Sequence, residues 1–126
     1  MLRQNYRFHG HASLNYLFSH GAKARTKYFS VRATLNPHRK TTRAAVIVSK
    51  KVLRHAVLRN QARRRLYELI RLHLDNWEQP VDLAISIHSA DILLLKPQEL
   101  EQQLLLAYHK LHKTTLYDKI IDDESV

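Results

Sequence analysis

Basic residues gather most densely in the middle of the chain, over Val48–Arg71, where the sequence reads VSKKVLRHAVLRNQARRRLYELIR. At about 100° per residue, a helix through this segment places five polar or basic residues on one flank: Asn60, Arg63, Arg64, Tyr67 and Arg71. Arginine suits contacts with phosphate because its planar guanidinium donates paired hydrogen bonds and also stacks on bases. A merely solvated helix face normally interleaves acidic with basic residues, and Glu68 is the sole acid in this segment. The segment therefore favours nucleic-acid binding over a solvated helix face.

The charge of the whole chain is unevenly distributed. Residues 1–67 contain 16 Lys and Arg and no Asp or Glu, whereas residues 68–126 contain 5 basic and 11 acidic residues, so charges of +16 and −6 give the net charge of +10. A surface without carboxylates does not repel a polyanion, and nucleic acid is the usual polyanion. Anionic membrane is a weaker candidate because the basic residues do not lie opposite a continuous apolar helix face.

Residues for catalysis by the protein itself are missing from the sequence. Cysteine is absent, and no Gly-rich phosphate loop, nucleophile elbow or paired catalytic carboxylates occur. The close histidine pairs, His9 with His11 and His109 with His112, lack carboxylates at ligand spacing. We therefore expect no catalytic residue, no metal site and no cofactor held by the protein's side chains.

Length and composition predict one soluble domain. The 126 residues, of which 44% are hydrophobic, suffice for a single core. No run approaches the ~20 apolar residues of a membrane span, and the first 20 residues lack the apolar run of a secretory signal. We expect a cytoplasmic protein with one RNA-binding domain over residues 1–113 and a frayed or disordered acidic tail over residues 114–126.

Periodicity predicts the elements that must position the basic segment. Ser13 is a plausible N-cap of a first helix that Gly21 closes in a left-handed position. An alternating run at 28–35 predicts a strand, and RAAVIVS at Arg43–Ser49 predicts a central strand. We expect Pro37–Thr42 between them to form a mobile basic hairpin loop.

The remaining elements alternate between helix and strand. The longest helical pattern covers Val57–Asn76 and ends before Pro80, and Val81–His88 predicts a further strand. Pro97 suits the first turn of a last helix, with acidic residues near its positive end. Two buried stripes are predicted, one on each of these helices: Ala62, Leu66, Leu69, Ile70 and His73, then Leu100, Leu104, Leu105, Tyr108 and Leu111. The pattern indicates an α+β fold, a two-layer α/β sandwich.

The basic segment resembles the signature region of the bacterial ribonuclease P protein, in which a strand ending in V-S-K-K leads to A-V-x-R-N-R-x-K-R on a helix. The matching positions are Val48-Ser49-Lys50-Lys51, Ala56-Val57, Arg59-Asn60 and Arg63-Arg64. The similarity extends over about residues 7–110. The resemblance implies the element order α-βββ-α-β-α with a left-handed βαβ crossover, a fold also found in a domain of a protein of the small ribosomal subunit.

Three positions depart from the family pattern. Gln61 replaces the second arginine of the R-N-R triplet and so removes a charge from the expected RNA contact. Arg65 could offset this loss, although it points elsewhere on the helix. Leu53 stands where a glycine is usual. Leu14 stands where the family often has phenylalanine on the first helix.

The resemblance implies a subunit of an endonuclease whose catalyst is RNA. The RNA subunit uses magnesium ions to hydrolyse precursor tRNA and release the 5′ leader, so Mg²⁺ is expected on the partner RNA. The protein binds the catalytic RNA and holds the leader in a cleft between helix and sheet. No obligatory protein partner is expected. Nine residues are assigned to RNA binding by the matching positions or the helical flank: Lys50, Lys51, Arg54, Arg59, Asn60, Arg63, Arg64, Tyr67 and Arg71.

Three residues are candidates for the leader cleft, namely Phe18, Tyr28 and Arg32. An aromatic ring stacks on any base, which suits leaders of variable sequence. For Phe18, packing in the hydrophobic core is as good an interpretation as a role in the cleft. For Tyr28 the two interpretations are nearly as balanced. A ribosomal or other structural RNA-binding protein is the alternative function, and a nuclease acting without RNA is a third.

Overall fold

The computed structural model describes residues 11–35, 40–77 and 79–114. Its α-helices are α1 (His11–His20), α2 (Ala56–Leu72) and α3 (Pro97–Thr114), and its strands are β1 (Ala22–Arg25), β2 (Phe29–Leu35), β3 (Arg43–Val48) and β4 (Val81–Ile87). Short 3-10 helices precede β4 and α3, at Leu74–Asn76 and Ala90–Leu94. This confirms the order α-βββ-α-β-α. The strand β1 was expected only from the family resemblance, because AKAR has too few apolar residues to predict a strand.

The four strands form one sheet in the order β1-β2-β4-β3. β2 is antiparallel to both β1 and β4, whereas β3 is parallel to β4 and is joined to it through α2. Two predictions were wrong. β3 is an edge strand, and the connection between β2 and β3 is not a hairpin, because β4 lies between these strands. Residues 36–39 of that connection lie outside the described residues.

Most of the apolar sequence of β3 results from burial on both faces of the sheet, and Ile47 is the exposed exception. Ala44, Val46 and Val48 belong to the main core, while Ala45 packs in a small cluster with Leu17 and Ala84. A continuous apolar run indicates that both faces of a strand are covered. It does not indicate that both edges are paired, and this explains the wrong position predicted for β3.

Alternation along the strands separates two faces of the sheet. One face packs against α2 and α3 and carries the main core, in which Phe29, Val31 and Leu66 are fully buried. The opposite face carries α1, through Leu17 on Ala45 and Ala84. The protein is therefore an α+β sandwich with its basic segment at the start of α2, next to the edge strand β3.

The end of α1 explains why a glycine follows it. The N–H of Gly21 donates to the carbonyl oxygen of Leu17 at 2.8 Å, and a Cβ on Gly21 would lie 2.5 Å from the same oxygen. Gly21 does not have a left-handed φ, so its predicted conformation was wrong; close approach of the backbone is what requires glycine. Ser13 lies inside α1, so the prediction of Ser13 as N-cap was also wrong.

The other helix boundaries follow from local hydrogen bonds. α2 ends at Leu72, four residues before the predicted end, because His73 leaves the helical conformation with φ −116°. The N–H of His73 still donates to the carbonyl oxygens of Leu69 and Ile70. α3 begins at Pro97 as predicted, and the Glu99 carboxylate accepts the N–H of Lys96 at 2.8 Å.

A buried ion pair joins the parallel strands where they begin. Arg43 on β3 and Asp82 on β4 are register partners. Nε and Nη2 of Arg43 donate to the two carboxylate oxygens of Asp82 at 3.0 and 2.9 Å, and both side chains are about nine-tenths buried. Next to them, the buried Thr42 hydroxyl accepts the N–H of Val81. Arg43 is therefore one basic residue of the acid-free half whose charge is neutralised inside the protein.

Replacing Asp82 by Asn tests this pair. We expect the free energy of unfolding to fall by about 3 kcal/mol, because removing one partner leaves the other charge buried without compensation. Asp75→Asn, at an exposed carboxylate, is the matched control and should change the free energy by less than about 0.5 kcal/mol. Chemical denaturation measures both variants, and equal effects would contradict a stabilising role of the pair.

Candidate RNA interface

The turn between β3 and α2 is held by backbone hydrogen bonds and by one arginine. The N–H groups of Val52 and Leu53 both donate to the Ser49 carbonyl oxygen at 3.1 Å. Nη1 of Arg59, on the first turns of α2, donates to the carbonyl oxygens of Leu53 and Arg54 at 3.0 and 2.9 Å. The Leu53 side chain, where the family usually has glycine, is buried in the core. Arg59 thus fixes the turn against the helix.

This turn presents three cations to solvent. Lys50, Lys51 and Arg54 are all exposed. No acidic residue lies between β3 and Glu68 in the sequence. The turn therefore offers ammonium and guanidinium groups beside the N-terminal end of α2.

The predicted flank of α2 begins with three polar residues close to the turn. Asn60 and Arg64 are exposed and Arg63 is partly buried. Nη1 of Arg63 donates to Oδ1 of Asn60 at 2.7 Å. Asn60 therefore orients the Arg63 guanidinium, whose remaining N–H groups can bind phosphate.

Two predicted interface residues further along α2 have partners within the protein. The Tyr67 hydroxyl accepts the N–H of Val46 on β3 at 3.0 Å. Arg71 forms an ion pair with Glu68 through two of its nitrogens. The hydrogen bond from Arg71 lowers the pKa of the Glu68 carboxyl to about 2, so the pair stays ionised at all but strongly acidic pH. The single acid of the segment is thereby neutralised by Arg71.

The Arg65 guanidinium, one helical turn after Gln61, has partners of its own within the protein. Gln61 is exposed, as expected for an interface position. Arg65, one turn further along α2, donates to the carbonyl oxygens of Ile92 and Leu95. The Arg65 guanidinium thus ties α2 to the 3-10 helix before α3.

The structure brings together two of the three residues predicted for the leader cleft. Nη1 of Arg32 on β2 donates to the Phe18 carbonyl oxygen at 2.9 Å, and its guanidinium carbon lies 5.1 Å from the centre of the Phe18 ring. Phe18 is 36% exposed, so its ring is accessible and is not part of the core. Tyr28 instead packs half-buried against the main core, with the Lys27 ammonium 5.8 Å from its ring centre.

A pair of stacked rings on α1 was not identified from the sequence. Tyr16 is 58% exposed, and its ring stacks on the His20 ring at 4.3 Å with 18° between the planes. Tyr16 and Phe18 lie on opposite flanks of the buried Leu17, because successive residues of a helix are rotated by about 100°. The spacing of four residues between Tyr16 and His20 is the sequence signal that could have found this pair.

The described residues contain neither a metal-binding cluster nor a membrane-spanning helix. Within residues 11–35, 40–77 and 79–114, no three His, Cys, Asp or Glu side chains come close enough to hold a metal ion. His109 is exposed on α3, and His9 of the other histidine pair lies outside the described range. None of the described helices is both long and apolar enough to span a bilayer.

Both the sequence and the fold of this chain match known proteins. A model of the family described as ribonuclease P matches residues 2–122. No curated protein matches the chain significantly.

Three solved structures show the same fold. The RNase P protein of Staphylococcus aureus has a TM-score of 0.72 at 22% identity, covering 86% of this chain and 95% of that one. A mutant of that protein with defective mRNA degradation activity gives a TM-score of 0.73 at 21% identity, with coverage of 82% and 86%. The RNase P protein of Thermotoga maritima gives a TM-score of 0.68 at 19% identity, with coverage of 81% and 91%.

The family match covers nearly the whole chain, and the four-stranded sheet with three helices agrees with the solved structures. We conclude that this chain belongs to the ribonuclease P protein family.

Proposed function

We propose that this protein is the protein subunit of ribonuclease P. In this function it binds the catalytic RNA and the 5′ leader of precursor tRNA, and it supports the endonucleolytic maturation of the tRNA 5′ end. Hydrolysis is assigned to the RNA subunit with its Mg²⁺ ions. The protein supplies binding and orientation in the cytoplasm.

The observation that carries this proposal is the cationic surface at the start of α2. We call it the α2 surface, and it consists of Lys50, Lys51, Arg54, Asn60, Arg63 and Arg64. Its side chains are exposed or partly buried, and the one acid of the neighbouring sequence is paired with Arg71. Cations in such an array displace the counterions of a nucleic acid, which is the main source of affinity for its backbone.

Hydrogen bonds within the protein hold the charged side chains of the α2 surface in place. Arg59 fixes the lysine-bearing turn to the helix, and Asn60 fixes Arg63. Side chains ordered before binding lose less conformational entropy when a partner arrives. A preformed surface of this kind suits a structured partner such as a folded RNA.

Single-stranded RNA is better suited to α1 and β2. The exposed Phe18 ring offers a stacking surface, and the Arg32 guanidinium beside it can bind a phosphate. Stacking contributes about 1 to 3 kcal/mol per base and tolerates any base. This pair supports the assignment of the leader to the face of the sheet that carries α1.

Reconstitution with the cognate RNA subunit tests the proposal. We expect the protein to lower the Mg²⁺ concentration needed for cleavage of precursor tRNA several-fold, because its cations replace metal ions that screen phosphate repulsion. The measurement is the cleavage rate across a magnesium titration. An unchanged rate, affinity and magnesium demand would contradict the proposed function.

The same assay without the RNA subunit separates the alternatives. Cleavage of precursor tRNA by RNA-free protein would indicate a nuclease that acts alone. The other alternative is a ribosomal or other structural RNA-binding protein. Sequencing the RNA that copurifies with the protein tests it, since ribosomal RNA would favour this alternative.

Arg63→Ala and Arg64→Ala test the α2 surface directly. Each variant should bind the RNA subunit more weakly, and each should reduce the slope of log affinity against log salt by about 0.7 to 0.9, the share of one phosphate contact. Lys96→Ala is the control. Lys96 is exposed and follows Leu95, whose carbonyl oxygen is bonded to Arg65 and which is not part of the α2 surface. Unchanged slopes in both arginine variants would indicate a merely solvated helix face.

Gln61→Arg restores the family residue at an exposed position of α2. We expect affinity for the RNA subunit to stay the same or to increase, because the new guanidinium adds a charge next to Asn60. Gln61→Ala serves as the control, since it removes the amide without adding charge. Weaker binding by both variants would instead mean that Gln61 makes an RNA contact of its own.

A further inference from the structure

Two exposed cations mark the edge of the sheet that β1 forms. Ala22 and Ala24 of this strand belong to the main core, so the alternating residues Lys23 and Arg25 point away from it. Both of these side chains are exposed. We call Lys23 and Arg25 the β1 edge, which lies on the opposite side of the sheet from β3 and the α2 surface.

The acids of the described residues lie on other elements. Within residues 11–35, 40–77 and 79–114 they are Glu68, Asp75, Asp82, Asp91, Glu99 and Glu101. They belong to α2, β4, the first half of α3 and the two 3-10 helices, so neither β1 nor β2 carries one. Register also places Lys23 directly opposite Arg32 of β2, and like charges at opposite positions weaken strand pairing. A carboxylate supplied from elsewhere in the chain would relieve this repulsion.

The last turns of α3 are held beside the β1 edge. The Lys110 ammonium donates to the Arg25 carbonyl oxygen at 3.2 Å, and the next residue, Leu111, is fully buried in the main core. The helix then continues to Thr114, where the described residues end. The chain that follows α3 therefore starts next to β1.

This following segment is rich in acids. Residues 115–126, which make up nearly all of the predicted acidic tail, lie outside the described residues. Their sequence, TLYDKIIDDESV, contains four of the eleven acids of the chain and one lysine. Residues 1–114 contain 20 basic and 7 acidic residues, so charges of +13 and −3 give the net charge of +10. Blocks of like charge at the end of a basic chain are often interaction segments.

We propose that the acidic segment 115–126 binds the β1 edge in the free protein and thereby competes with RNA for the positive charge of the domain. Carboxylates of this segment take the place of phosphates on Lys23 and Arg25. The consequence for RNA rests on the proposed function, because a protein that must select one catalytic RNA gains from weaker binding to all others. Sequence-independent binding of RNA depends mainly on such charges.

The length of the segment permits this contact. A fully extended chain spans at most about 3.3 to 3.6 Å per residue, so Asp118 can lie up to roughly 14 Å from Thr114 and Glu124 up to roughly 35 Å. Covalent connection also gives the acids a high effective concentration at the β1 edge, on the order of millimolar for a short linker. A contact that would be weak between separate molecules can therefore form within one chain.

Zero-length cross-linking of the free, full-length protein tests the contact directly. A carbodiimide joins a lysine amine to a carboxylate that touches it, and peptide mass spectrometry then identifies the two residues. We expect a link between Lys23 and Asp118, Asp122, Asp123 or Glu124, and none from these acids to Lys96, which is exposed at the other end of α3. Absence of the Lys23 link, or a link that forms only between two copies of the chain, would overturn the inference.

Addition of the RNA subunit tests the competition. The Lys23 link should disappear once this RNA is bound, and a link that persists would contradict competition between the segment and RNA. The proposed function is judged separately, from cleavage of precursor tRNA by the holoenzyme. Loss of cleavage and absence of the link in free protein are therefore distinguishable failures.

Substitution of acids tests the consequence for RNA selectivity. The pair Asp122→Asn with Asp123→Asn should raise the affinity of the free protein for a non-cognate RNA roughly twofold to fivefold at low salt, as expected for one or two exposed ion pairs. The gain should vanish at high salt. The matched control removes two exposed acids elsewhere, by Asp75→Asn with Asp91→Asn.

A double-mutant cycle assigns the gain to the β1 edge. In a background of Lys23→Ser with Arg25→Ser, the two tail substitutions should no longer raise the affinity beyond the control pair, because the partners of the acids are gone. Equal gains for the tail pair and the control pair in the unsubstituted background would mean that only the net charge matters, and this would overturn the inference.

Discussion

The position of the α2 surface depends on the pairing of β3 with β4, and Arg43 and Asp82 are the buried charges that join these strands where they begin. Two parallel strands must be connected by a long crossover, and in this protein the crossover contains α2. The strand β3 therefore ends directly at the turn with Lys50 and Lys51. Because the pair lies at the opposite end of β3, it can set the register of the strands without occupying the candidate RNA interface.

Arginines of the basic half divide into those that bond within the protein and those that face solvent. Arg43 is neutralised by a carboxylate, whereas Arg32 and Arg59 donate to backbone carbonyl oxygens. A carbonyl oxygen carries no formal charge, so these two side chains remain cationic while their geometry is fixed. Several cations can therefore support the fold and still contribute to the positive potential around it.

Much of the fold could be predicted from periodicity, because the cores of α2 and α3 follow a helical repeat and β2 an alternating one. The edge position of β3 could not, since an apolar run reports burial of faces and not pairing of edges. Gly21 was predicted to have a left-handed conformation, which it does not adopt. A sequence shows that glycine has no Cβ, but it does not show that a Cβ at this position would clash with the Leu17 carbonyl oxygen. The exposed residues at the start of α2 could be predicted from their positions on the helix. The hydrogen-bond partners of Tyr67 and Arg65 could not, because they lie on elements that are distant in sequence.

The hydrogen bond from the Val46 N–H to the Tyr67 hydroxyl has a consequence for the open edge of the sheet. An open edge strand can recruit a strand from another molecule, which leads to aggregation. On β3 the side chain of Tyr67 occupies one of the backbone donors that such a strand would use. Helix α2 thus also occupies one backbone donor at this edge of the sheet, which makes the edge a poorer template for a strand from another copy of the protein.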